Sequence, residues 1–307
     1  MSIESRAKAL MRQLSRSKQA SPPDKLYRIG EHEIILTGQH ELPLHQLHHR
    51  LYDRFPISLG LAHGDGWIVD IGANVGDSAA AFSVGSPKQI LCIEPVAHFY
   101  SLLEKNAARL RAAGANIICV NTCVGPEGSA GHISANQTTA FVSTDGRSTS
   151  FMTLDSIAAS RLPWDATIGM IKCDVDGFDS TALMSGLGVI TRDQPLIYFE
   201  SEVREQRTLV RIRQLCDRLA NTGYDMFTLF DNFGLLMIEN APLDVVSNCL
   251  QYVYWQNQGR STRCIYYFDI AASSQRSRAL HLAALDHYKR TWVNEQVGPP
   301  FLTATRK

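Results

Sequence analysis

Trp67-Ile68-Val69-Asp70-Ile71-Gly72-Ala73-Asn74-Val75-Gly76-Asp77-Ser78 decides the fold. A short apolar run rich in β-branched residues ends on an acid. It then breaks at two glycines that frame an asparagine, and resumes in small residues, 79–82, that suit a helix. That order is strand, tight turn, helix. Gly72 and Gly76 free the backbone to turn sharply, so a ligand can approach main-chain N–H groups at the start of a helix.

The next strand strengthens the reading. Gln89-Ile90-Leu91-Cys92-Ile93-Glu94-Pro95 is an apolar run ending in an acid. Glu94 falls about twenty residues past the glycines, where one carboxylate can accept from both hydroxyls of a ribose. A dinucleotide site asks for a glycine where this chain has Asn74, because the backbone must admit a pyrophosphate. S-adenosylmethionine (SAM) has no pyrophosphate, and Asp70 can help hold its cationic methionine end. The candidate cofactor contacts are therefore Asp70, Gly72, Asn74, Gly76, Asp77, Ser78, Glu94 and Pro95. Asn121, after a third strand at 116–120, is placed to read an adenine edge.

A second chemical stretch runs Ile168-Gly169-Met170-Ile171-Lys172-Cys173-Asp174-Val175-Asp176-Gly177-Phe178-Asp179. A strand here delivers three acids to the carboxyl edge of an open sheet, the side where ligands bind. Asp179 can cap the following helix, which leaves Asp174 and Asp176 for cofactor binding, catalysis or a metal. A fifth strand, 195–200, ends in Glu200, with Glu202 just beyond. A helix over 203–220 buries Leu209, Ile212, Leu215 and Leu219, and residues 224–230 and 235–238 read as a final hairpin.

The β-α alternation predicts an α/β protein with an open, mostly parallel seven-stranded sheet, a reversed last strand and helices on both faces. Residues 1–60 read as an N-terminal extension, 61–240 as the ligand-binding core, and 241–307 as a C-terminal extension packed on it. Residues 3–18 have the pattern of a basic amphipathic helix, suited to packing on the domain or on a second copy. His40, His45, His48 and His49 read as solvated or substrate-facing side chains.

Lys plus Arg equals Asp plus Glu at 30 each, so there is no basic field to attract nucleic acid. Seven cysteines without a C-x-x-C pair suit a reducing compartment. No apolar run is long enough to cross a bilayer and no secretory signal is evident, so a cytoplasmic location is expected. Asn136-Gln137-Thr138 matches a glycosylation sequon, discounted on the same grounds.

The ordered set Val-Asp-Ile-Gly-Ala-Asn-Val-Gly (69–76), Ile-Glu-Pro (93–95), Thr-Leu-Asp (153–155), Lys-Cys-Asp-Val-Asp-Gly-Phe-Asp (172–179) and a strand ending in Glu200 resembles the FkbM family of SAM-dependent methyltransferases. Members of that family carry Glu where this chain has Asp176 and Asp179. The resemblance implies a class I Rossmann-like methyltransferase fold and O-methylation of a sugar, glycan or natural-product hydroxyl.

An alcohol is a poor nucleophile at neutral pH, so its proton must go to a base or its pKa must be lowered by a metal. Asp174 and Asp176 are the candidate bases, followed by His98 and His132. Asp174 and Glu200 are the candidate ligands if Mg²⁺ takes part. The alternatives are a methyltransferase acting on a protein or nucleic-acid nitrogen, a nicotinamide-dependent oxidoreductase, and a SAM-binding protein without catalysis.

Overall fold

The computed structural model describes residues 23–128, 130–135, 140–143, 149–259 and 264–294. The expected helix at 3–18 and the sequon at 136–138 lie outside them. The first strand of the sheet interior is β3 (Trp67–Ile71), whose five residues are all buried. Strands covered by helices on both faces are apolar throughout, which is why this run shows no alternation.

β4 (Gln89–Ile93), β5 (Asn116–Val120), β10 (Ile168–Cys173) and β11 (Leu196–Glu200) join β3 in parallel register. The full order is β13-β12-β14-β11-β10-β3-β4-β5, with β12 at Tyr224–Asp231, β13 at Leu236–Ile238 and β14 at Phe268–Ser274. Among the described residues the sheet thus has eight strands rather than the seven expected. The reversed strand in its interior is β14, inserted antiparallel between β11 and β12. The β12–β13 hairpin, expected to close the sheet, forms its edge. Periodicity reports which segments are strands and says nothing of which strand lies beside which. β14 comes from residues 241–307 and pairs on both sides.

Each sheet face carries its own core. On one face Val69, Ile71, Ile171, Ile197 and Phe199 meet helices such as α8 (Gln206–Asn221), whose buried Leu209, Ile212, Leu215, Cys216 and Leu219 recur at helical spacing. On the other, Ile68, Met170, Tyr198 and Ala271 meet α2 (Arg54–Ala62), α3 (Asp77–Phe82), α4 (Ala97–Ala112) and α10 (Arg278–Tyr288). α2 and α3 approach so closely that a Cβ at Gly60 would fall 2.6 Å from the Phe82 backbone.

The hairpin of β1 (Lys25–Ile29) and β2 (His32–Leu36) is tied to the core by Asn106. Its side chain accepts from Ile35 N–H at 2.7 Å and donates to Ile35 O at 2.8 Å and Val75 O at 2.7 Å. α1 (Leu42–His48) follows and leads into α2 across the carboxyl edge of the sheet. β6 (Cys123–Val124), β7 (Ala130–Ala135), β8 (Ala140–Ser143) and β9 (Thr149–Met152) form a separate small sheet.

Candidate active site

The turn after β3 is shaped by close approach. Gly72 has φ +78°, and a Cβ there would lie 2.0 Å from Asp174 O, so the chain can pass only as glycine. Asn74 takes a left-handed conformation at φ 47° and donates its N–H to Glu94 Oε2 at 2.9 Å. Val96 N–H donates to Glu94 Oε1 at 2.8 Å, so one carboxylate links the turns after β3 and β4. Burial pushes the Glu94 carboxyl up to about 7, against the pull of these two N–H groups. Asn121 donates to Glu94 O at 2.8 Å and Pro95 O at 3.1 Å, bracing that turn from β5. Gly76 has φ +89°, and a Cβ there would meet Leu103 Cδ1 at 3.0 Å, so its bareness serves helix packing.

Beneath the turn lies a buried charge cluster. Asp70 is fully buried and accepts from Ser78 Oγ at 2.5 Å. Lys172 Nζ lies 3.5 Å from Asp70 Oδ1 and 3.3 Å from Asp174 Oδ2. Burial alone would drive the ammonium to lose its proton, but Asp174, Asp70, Asp77 and Asp53 hold its pKa above the ordinary lysine value. Sequence reasoning passed over Lys172, although a lysine inside the apolar run 168–173 was the signal available.

Two recesses meet at Gly72. The smaller is an apolar slot walled by Ile71, Ile93, Pro95, Val124, Phe151 and Phe178. The larger, a cavity of about 330 Å³, takes in Gly72, Asn74, Asp77, Ser78, Asp174 and Asp176 from the expected set. Glu200, Tyr198 and Asp269 form its floor at the ends of β11 and β14. α1 and the loops that flank it supply His40, His45, His49, Tyr52 and Asp53. His45 stacks on Tyr52 with ring centroids 5.2 Å apart, and His49 on Phe233 at 4.2 Å. Asp53, Asn74 and Asp176 all have positive φ, and such strain in non-glycine residues concentrates at functional sites. Burial, then Asp77 and Asp174, raise the Asp53 carboxyl to about 7.

Other expected residues serve the scaffold. Asp179 accepts from Val175 N–H at 3.3 Å and Gly177 N–H at 3.2 Å, holding the loop that presents Asp174 and Asp176. In the Thr-Leu-Asp motif, Thr153 Oγ1 caps α5 (Leu154–Arg161) by accepting from Ser156 N–H at 3.0 Å. Asp155 caps α7 (Leu187–Asp193), accepting from Gly188 and Val189 N–H at 3.0 and 2.8 Å. His98 is exposed on α4 and lines neither recess, and the side chain of His132 lies outside the described residues. Among the described residues no three His, Cys, Asp or Glu side chains are grouped so as to hold a metal ion, and no helix is long and apolar enough to cross a membrane.

A doubly wound sheet with a reversed strand set beside its fifth parallel position, and a ligand-shaped turn after its first, defines a methyltransferase-type fold. Residues 70–226, half of the chain, match the methyltransferase FkbM domain, and the chain belongs to that family of methyltransferases. Among solved structures, methyltransferase FkbM from Methylobacillus flagellatus KT is 12% identical, the match covering 76% of this chain and 58% of that one at a TM-score of 0.38. Precorrin-6y C5,15-methyltransferase from Geobacter metallireducens GS-15 is 12% identical over 72% of this chain and 86% of that one, at 0.37. The fibrillarin pre-rRNA processing protein of Methanococcus jannaschii is 11% identical over 84% and 85%, at 0.41. No curated protein matches the sequence.

Proposed function

We propose that the protein is a SAM-dependent O-methyltransferase acting on a hydroxyl of a sugar, glycan or natural-product acceptor. The observation that carries this reading is the junction at Gly72, where a turn that tolerates no side chain borders both a small apolar recess and a larger cavity lined by Asp77, Asp174 and Asp176. In this reading Pro95, Val124 and Phe178 give the adenine an apolar wall, while Phe151 and Phe178 pack on each other with ring centroids 5.6 Å apart. Each Glu94 oxygen accepts one backbone N–H and keeps a lone pair for a ribose hydroxyl. Asp77, in the cavity lining, offers negative charge toward the methionine end, and Asp70 lies buried beneath it, held by Ser78 and Lys172.

SAM supplies an electrophilic methyl on a sulfonium. What the chain must add is orientation of the acceptor and a place for its proton. Asp174 and Asp176 stand on the loop after β10, at the cavity, and Asp176 is the base we assign. Asp174 is already engaged by Lys172, whose Nζ lies 3.3 Å from its Oδ2. Mg²⁺ at Asp174 and Glu200 is the second reading of the same hydroxyl activation, and activity after chelation separates the two.

The experiment is transfer from methyl-labelled SAM to a panel of hydroxylated acceptors, with nucleic acid and whole protein included. Label in an O-methyl ether supports the proposal. Label in protein or nucleic acid alone would overturn it in favour of nitrogen methylation.

A further inference from the structure

Strand register sets two like charges side by side on the cavity floor. Glu200, the last residue of β11, is the direct antiparallel partner of Asp269 on β14, so both side chains leave the sheet on one face. Both line the cavity together with Asp174. Tyr198 donates to Asp269 from the same floor. Of the cations that line the cavity, Lys172 is paired with Asp70 and Asp174 and Arg204 with Glu202 at 2.7 Å, while Arg54 lies over the Trp292 ring, 5.0 Å from its centroid.

A second observation is independent of the acids. Asn232 is 2% exposed and lines the cavity; its Oδ1 accepts from Tyr266 N–H at 3.2 Å, and its Nδ2 has no acceptor among the described residues. A buried donor without an acceptor is costly, and a ligand oxygen would satisfy it. Tyr266, Tyr267 and Phe233 add aromatic side chains to the same lining. Because no three potential ligands are grouped to hold a metal among the described residues, an organic cation suits this floor better than a divalent ion.

We propose that the methyl acceptor is a hydroxylated molecule bearing an ammonium, of amino-sugar type, with its ammonium between Glu200 and Asp269 and one oxygen accepting from Asn232. This rests on the methyltransferase reading of the same cavity. The ammonium supplies positive charge between the two opposed carboxylates.

The test uses the full chain saturated with S-adenosylhomocysteine, and D-glucosamine, N-acetyl-D-glucosamine and D-glucose as probes, with binding read by saturation-transfer NMR. Glucosamine should bind about tenfold more tightly than either neutral sugar, and Glu200→Gln or Asp269→Asn should each abolish that preference. Equal binding of the three sugars, or none, would overturn the proposal on the unmodified protein alone, whatever the variants do. Calorimetric binding of Mg²⁺ that Glu200→Gln removes would also overturn it, in favour of a metal floor. If S-adenosylhomocysteine itself does not bind, the methyltransferase reading falls and takes the proposal with it; if it binds and the sugars are not discriminated, only the proposal falls.

Discussion

Asn74 and Glu94 are joined by a hydrogen bond of 2.9 Å from the backbone N–H of one to Oε2 of the other. It ties the glycine turn to the acid of the next strand, and it explains why Asn74 holds a left-handed conformation at φ 47°. The carboxylate that would hold a ribose is therefore positioned by the turn that would hold the rest of the ligand.

Replacing Glu94 should cost affinity and stability together. Glu94→Ala removes the acceptor of two N–H groups, Asn74 and Val96, in a residue only 4% exposed. Loss of these bonds should lower stability by about 1–3 kcal/mol and weaken S-adenosylhomocysteine binding at least about tenfold. Urea melts and calorimetry measure the two effects separately.

Lys172→Met should be more damaging than its apolar surroundings suggest. The ammonium compensates Asp70, which is fully buried, and removing it leaves a buried charge without its counter-ion. We expect a loss of about 3–5 kcal/mol in urea denaturation. Asp70→Asn in the same chain should recover part of it, whereas additive losses would show that the pair is not coupled.

Acid should destabilise the protein through two buried histidines. His63 and His281 are pushed down from 6.5 to about 4, chiefly by burial, with Lys88 and Arg278 adding to it respectively. A folded pKa below the unfolded one means that the unfolded chain binds the extra proton. Stability from these groups is therefore present above pH 6.5 and lost as pH falls through about 4. Glu94 and Asp53, raised to about 7, act in the opposite sense: their contribution is present at low pH and lost as pH rises through about 7. Replacing His281 by Gln should flatten the acid limb of a Tm-against-pH curve and leave the limb above neutrality unchanged.

Asp176→Asn should separate chemistry from binding. The side chain keeps its size and its tolerance of positive φ but loses its basicity. Methyl transfer should fall about a hundredfold or more while S-adenosylhomocysteine affinity stays within about twofold. An equal fall in both would assign Asp176 to the ligand and not to the proton.

What the sequence disclosed, and what it withheld, follows from how far each signal reaches along the chain. The turn at 72–76, the acid at 94 and the acids after β10 are local patterns of backbone freedom and charge within a few residues of a strand end, and the structure brings Gly72, Asn74, Asp77, Ser78, Asp174 and Asp176 to one cavity. Asp53 lies 121 residues before Asp174 and Asp269 lies 95 after it, and nothing local marks them. The insertion of β14 between β11 and β12 is likewise a matter of tertiary neighbours. Lys172 is the exception, a legible anomaly in an apolar strand. Asp155 and Asp179 show the converse: their motif positions are conspicuous, but their work is to satisfy N–H groups of the scaffold.

The first measurement is calorimetric titration of the purified protein with S-adenosylhomocysteine, beside its Glu94→Ala and Asp176→Asn variants. Saturable binding that weakens in Glu94→Ala and persists in Asp176→Asn is the expected result. No binding to the unmodified protein, or equal affinity in Glu94→Ala, would contradict the assignment of the turn after β3 and the acid after β4 as the cofactor site.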